Sequence, residues 1–171
     1  MKNLIFINGT MGAGKSAVSR RLRDFLAPCA FLDGDWCWDM APFTVTDETK
    51  EMVQENITAV LQNFLNCSAF QNIVFCWVMQ QDSIAEGLLS RLELSDTRVY
   101  RFTLEVSEPV LRARLEQDVR DGLRMPDVIE RSVARIPLYR DMDTIKIDTD
   151  RLTVEQAAGE IAAQVLRSSK T

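Results

Sequence analysis

With 171 residues, 46% of them apolar and 26% charged, the chain has the length and make-up of one soluble domain with a sizeable core. A net charge of −5 and a pI near 4.9 argue against nucleic acid as the main partner, and no apolar run is long enough to cross a membrane. Histidine is absent, which excludes Ser-His-Asp and Cys-His catalysis and histidine-bound metal. A general base must therefore be a carboxylate first, with Lys, Tyr or Cys behind it.

The first predicted element is a buried strand over Leu4–Asn8. Met1-Lys2-Asn3 leads straight into it, which leaves no room for a signal peptide and sets a cytoplasmic expectation. Next comes Gly9-Thr10-Met11-Gly12-Ala13-Gly14-Lys15-Ser16, which fits G-x-x-x-x-G-K-[ST]. Glycines in such a loop let backbone N–H groups converge on phosphate oxygens at a helix N-terminus. Gly9, Met11, Gly12, Ala13, Gly14, Lys15, Ser16 and Ala17 are the candidate nucleotide-binding residues. Lys15 is expected to reach the β- and γ-phosphates, and the Ser16 hydroxyl to bind Mg²⁺. The helix that follows, Lys15–Ala27, carries Val18, Leu22, Phe25 and Leu26 on one apolar face. A glycine-rich strand-to-helix turn without a ligand is the plainer reading of the same residues.

A second strand, Ala30–Asp33, ends in Leu32-Asp33-Gly34-Asp35-Trp36-Cys37-Trp38-Asp39. Two carboxylates beside Mg²⁺-nucleotide can divide two tasks: one holds the metal or its waters, the other takes a proton from an attacking hydroxyl. Asp33 is read as the metal-side acid and Asp35 as the base, with the reverse division left open. If the segment stays extended, the period of two points both carboxylates one way; Gly34 also permits a turn that Asp33 would cap. Trp36 and Trp38 are candidates to wall an acceptor pocket, or else to brace the loop.

A helix over Asp47–Asn66 follows, with Val53, Ile57, Val60, Leu61, Phe64 and Leu65 at the helical period. The strand Ile73–Val78 runs into Met79-Gln80-Gln81, without the acid that a motor ATPase places there. Neither D-x-x-G nor N-K-x-D occurs, which disfavours a switch GTPase. A helix Asp82–Leu92 and a strand Val99–Glu105 come next. Arg outnumbers Lys fifteen to five, and seven of those Arg lie between Arg112 and Arg140. Arg forks suit phosphate oxygens and phosphoryl transition states, although a solvated face interleaved with acids accounts for some of them. Asp121-Gly122 and Pro126 split this stretch into two helices joined by a lid, about 118–128. A strand Thr144–Ile147 and a helix Val154–Arg167, opened by a Thr153/Gln156 capping box, complete the chain. The four cysteines form no C-x-x-C pair and read as reduced core residues.

These features resemble the nucleoside-monophosphate-kinase-like P-loop kinases, a group that includes adenylate, shikimate, gluconate and adenylylsulfate kinases. Arg124, Asp127, Arg135 and Tyr139 are similar to the R-x-D-D…R-L-x-x-Y pattern of adenylate kinases, with Pro126 in place of the first Asp. Leu32-Asp33-Gly34-Asp35 is similar to the L-D-G-D of adenylylsulfate kinases. The resemblance implies that Arg124 and Arg135 bind phosphates, that Arg114 lies against adenine, and that Asp148-Thr149 borders it. It fixes a class rather than a substrate.

The expectation is a single α/β domain, residues 1–171, with a three-layer α/β/α P-loop NTPase fold, a five-stranded parallel sheet and a short helical lid. The expected activity is transfer of the γ-phosphate of ATP, with Mg²⁺, to a hydroxyl of a small molecule. Lys15, Asp35, Arg124 and Arg135 are the candidate catalytic residues, Ser16 and Asp33 the metal-side pair, and Asp35, Trp36 and Trp38 the acceptor contacts. The rivals are a nucleoside-monophosphate kinase and a nucleotide-binding regulatory module with weak ATPase activity. From Asp24 through Ser90 there is no Arg and one Lys, Lys50, against ten acids, so a neutral or cationic acceptor is expected. The oligomeric state is left open.

Overall fold

The structure is a computed structural model that describes residues 1–168. Five parallel strands form one sheet: β1 (Lys2–Asn8), β2 (Cys29–Asp33), β3 (Asn72–Cys76), β4 (Thr97–Glu105) and β5 (Ile145–Asp148), in the order β2-β3-β1-β4-β5. Between and after them lie α1 (Lys15–Phe25), α2 (Asp47–Asn66), α3 (Asp82–Leu89), α4 (Glu108–Arg120), α5 (Val128–Val133), α6 (Ile136–Arg140) and α7 (Val154–Ser168). No helix among the described residues is long and apolar enough to cross a membrane.

The period of two in the strands builds the layers. Ile5 and Ile7 of β1, Val74 and Cys76 of β3, and Tyr100, Phe102 and Leu104 of β4 face a core shared with α1, α4 and α7. Leu4, Phe6, Ile73 and Phe75 face the opposite core, closed by α2 and α3. Each covering helix offers one apolar row. On α2 this is Val53, Ile57, Leu61 and Leu65, all buried at successive i, i+4 positions. Because every strand is parallel, all their carboxyl ends lie at one edge, where the loops after β1, β2, β3 and β5 meet.

Several boundaries depart from the sequence expectation. Helix α1 stops at Phe25 rather than Ala27, because Pro28 disfavours helical backbone in the residue before it. Phe25 turns outward, where the Arg21 guanidinium lies 4.4 Å from its ring centroid. Strand β3 ends at Cys76, not Val78: the Asn8 side chain takes over the chain by accepting from Met79 N at 2.9 Å and donating to Met79 O at 2.6 Å. Helix α3 tightens into i→i+3 bonds after Leu89, as in Leu92 N to Leu89 O at 3.1 Å. Strand β5 is shifted by one residue toward Asp148.

The arginine-rich stretch forms three helices rather than two. Helix α4 ends in a Schellman motif: Gly122, at φ +71°, donates to Val119 O, and Leu123 N donates to Asp118 O at 2.9 Å. The break between α5 and α6 falls before Pro137, which has no N–H to continue a helical ladder.

Asn8→Ala would leave both polar backbone groups of buried Met79 without these partners. The expected loss is about 3 kcal/mol of unfolding free energy, measured by urea titration.

Candidate active site

The Gly9–Ser16 loop leaves β1 and closes on the first turn of α1. Its three glycines have different reasons to be glycine. Gly14 caps α1 at φ +94° with open space around it, so backbone conformation alone selects it. Gly12, at φ +86°, lies beneath α4, where a Cβ would stand 2.7 Å from Leu115 and 2.8 Å from Leu111. Gly9 passes β4 so closely that a Cβ would come within 2.9 Å of Leu104 O. Thr10 anchors the loop sideways through a 2.9 Å bond from its hydroxyl to Ser132 O of α5.

Lys15 donates from Nζ to Thr10 O at 3.0 Å. Burial holds its ammonium below the usual lysine range, against the opposing pull of Cys76, Asp35 and Asp33. Ser16 donates to Asp33 Oδ2 at 2.5 Å. Asp33 is 5% exposed, and its other oxygen, Oδ1, accepts from Asp35 N at 3.1 Å. The segment after β2 is therefore not extended: Gly34–Trp38 is a short 3₁₀ turn capped by Asp33, and the two carboxylates do not simply alternate.

Asp35 reaches the cleft over the phosphate loop, beside Lys15 and Arg124. Desolvation in the cleft and the charge of Asp33 push its carboxyl up from the usual range. Lys15, Arg124 and the nearby Trp77 side chain pull it down. Beneath the loop, burial pushes the Cys76 thiol up to about 12, so it remains a neutral core group. Among the described residues all four cysteines are free.

The cleft has a volume of about 490 Å³ and runs from the loop toward the end of β5. Arg124 borders it from the segment after α4, held there by Asp118 at 2.9 Å. Arg114 borders its far end and donates to Thr149 O at 2.7 Å. Thr149 is itself pinned to β4 by two 2.9 Å bonds to Glu105 O. Two sequence-predicted segments, Arg114 and the 148–149 loop, are thus in contact.

Other candidates lie further apart. Arg135 sits at the N-cap of α6 and is not among the residues lining this cleft. Trp36 packs edge-on against Phe31, 5.3 Å between centroids, on the α1 side of the sheet. Trp38 packs with Phe43 at 5.8 Å and joins the opposite core. The two tryptophans therefore do not form one wall. The indole nearest Asp35 belongs to Trp77, which the sequence reading missed along with Asp118.

The donor set fits Mg²⁺. Ser16 Oγ and the Asp33 carboxylate are hard oxygens that meet at the start of α1, and Mg²⁺ takes one or two such protein groups together with substrate phosphates. Among the described residues no group of three or more His, Cys, Asp or Glu forms an all-protein metal cage.

A family profile described as AAA domain matches residues 5–134. No curated protein matches the sequence. Solved structures similar to this one include a sugar kinase from Janibacter sp. HTCC2649, 14% identical with a TM-score of 0.70 over 96% of this chain and 95% of that one. The tunicamycin resistance protein of Deinococcus radiodurans is 24% identical, with a TM-score of 0.67 over 96% of each chain. Shikimate kinase from Acinetobacter baumannii, solved with shikimate, is 21% identical, with a TM-score of 0.67 over 100% and 97%. At these identities the likeness is one of fold: a parallel sheet with helices on both faces and a phosphate loop after the first strand. The chain belongs to the AAA domain family, and it shares its fold with the sugar and shikimate kinases above.

Proposed function

We propose that this protein is an ATP-dependent phosphotransferase that moves the γ-phosphoryl group to a hydroxyl of a neutral or cationic small molecule. One observation carries the reading. A half-buried lysine, a Ser–Asp oxygen pair, a second carboxylate and an arginine converge on one cleft at the carboxyl edge of the sheet. The fold shared with sugar and shikimate kinases supports phosphoryl transfer as the reaction.

Phosphoryl transfer depends on positioning and on charge placed where the transition state develops it. The loop N–H groups and Lys15 hold the donor phosphates. Ser16 and Asp33 hold Mg²⁺, which when bound neutralises charge across the phosphate oxygens. Asp35 orients the acceptor hydroxyl and receives its proton. A carboxyl pushed up from the ordinary range is a better proton acceptor than an ordinary one, and Asp35 is so placed. Arg124 supplies charge from the lid side, whereas Arg135, at the N-cap of α6, lies outside this cleft. Arg114 and Thr149 flank the base of the nucleotide.

The acceptor class follows from ion pairing around the second and third strands. The one lysine there, Lys50, pairs with Asp47 at 3.1 Å. Arg91, just beyond, pairs with Glu51 at 2.8 Å, and Arg101 pairs with Asp82. These cations are already matched by acids, whereas Asp35 and Asp39 have no such ion pair among the described residues. An anionic acceptor would enter a negative field with few partners, which disfavours nucleoside monophosphates and sugar acids.

Three outcomes test this reading. Lys15→Ala should abolish Mg²⁺-ATP binding by calorimetry while the far-UV spectrum stays unchanged. Asp35→Asn should retain ATP affinity and lose phosphoryl transfer by about 10²-fold or more in a coupled ADP assay. Across a panel of sugars, nucleosides, aminoglycosides, nucleoside monophosphates and sugar acids, ADP production should appear with neutral or cationic members. Efficient turnover of a monophosphate or a sugar acid would reject the acceptor class. Phosphate release with no acceptor dependence would favour the regulatory-module reading.

A further inference from the structure

Gly34 has no conformational reason to be glycine. Its φ lies outside the left-handed region, in a 3₁₀ turn that any L residue can adopt. What it lacks is room: a Cβ there would stand 2.6 Å from both Cγ and Cδ1 of Trp77 and 3.0 Å from its Cβ. The Trp77 ring therefore lies directly on the turn that joins Asp33 to Asp35. Its base is fixed by the sheet, since Trp77 N donates to Ile7 O at 3.2 Å. Its side chain also acts on the exposed Asp35 carboxyl, favouring the ionised form. Trp77 also belongs to the core under α2. A residue needed only to fill that core would not demand the loss of a side chain at Gly34, nor carry a donor at its far edge.

We infer that Trp77 is a positioning residue: its indole lies against Gly34 in the Asp33–Asp35 turn and so fixes the direction in which the turn presents the Asp35 carboxylate. The inference rests on the reading of Asp35 as the group that receives the acceptor's proton. Ser16 holds Asp33 by a hydrogen bond, and Trp77 packs on the Gly34 backbone between Asp33 and Asp35. Gly34 between them is the clearance that lets the ring sit there.

Two measurements on the full chain test it. The chain has three tryptophans, so a ¹⁵N–¹H spectrum shows three indole resonances, assigned by Trp36→Phe, Trp38→Phe and Trp77→Phe. Asp35→Asn and Gly34→Ala, both in the turn, should each displace the resonance of Trp77, which lies on a different strand end. In the second measurement, ADP production from Mg²⁺-ATP is followed with water as acceptor and with whichever panel member is turned over. Trp77→Phe keeps a ring over Gly34 but loses the N–H. It should lower kcat about tenfold or more with the KM for ATP unchanged.

If the Trp77 resonance ignores both substitutions, or if Trp77→Phe keeps the wild-type kcat while Asp35→Asn abolishes turnover, the inference is overturned and the reading of Asp35 stands. If Asp35→Asn turns over at the wild-type rate, the reading of Asp35 falls, and the steering role falls with it. The spectra then still report whether the two side chains touch.

Discussion

One buried carboxylate ties the site together. Asp33 spends both oxygens on neighbours from different parts of the chain: the Ser16 hydroxyl at the start of α1 and the Asp35 amide in the turn after β2. Without it, the phosphate loop and the Asp-Gly-Asp segment would be two adjacent features with no fixed relation. The bond to Ser16 joins the β1–α1 crossover to the outermost strand, with β3 lying between them in the sheet. Its burial makes this costly to disturb, because an unpaired carboxylate in so little solvent has few ways to recover its lost hydration.

The rest of the site inherits its geometry from parallel strands. The loops that follow β1, β2, β3 and β5 emerge at the same edge, so residues far apart in sequence become neighbours without any long excursion of chain. Helices α4 and α5 grip the phosphate loop from one side, through Leu111 and Leu115 over Gly12 and through Ser132 O to Thr10. The opposite side, under α2 and α3, is rich in acids whose basic neighbours are already paired. The molecule thus separates a side that carries Lys15, Arg114 and Arg124 from an acid-rich side across a single sheet edge.

What the sequence made legible is what depends on neighbours along the chain. The phosphate loop is a contiguous string. Helix α2 begins and ends where its apolar period and flanking residues place it, and the Thr153/Gln156 capping box forms with both bonds in place. The misses are contacts between distant segments or substitutions for the usual chemistry. The box that opens α2 uses Thr46 with Thr49, and Thr in place of Glu or Gln hides the usual pattern. The placement of Trp77 against Gly34 joins residues from the ends of two strands, and no local period announces it. The signal available was an Asp-Gly step that read equally well as an ordinary turn. Trp36 and Trp38 looked like a pair because they are close in sequence. A 3₁₀ turn sends them to opposite faces of the sheet.

The two posts of the lid segment have a consequence for how the architecture can be altered. Helix α4 before it is packed onto Gly12, and α5 after it is bonded to Thr10, so both ends of the 121–127 segment are fastened to the phosphate loop itself. Between these posts the chain carries its barest apolar side chains, Leu123 and Met125, each more than 70% exposed. A change of those two exposed side chains would strain neither post, because neither side chain is packed against one. Leu123 and Met125 are therefore the interchangeable positions of the stretch, while Arg124 between them keeps its place at the cleft through Asp118.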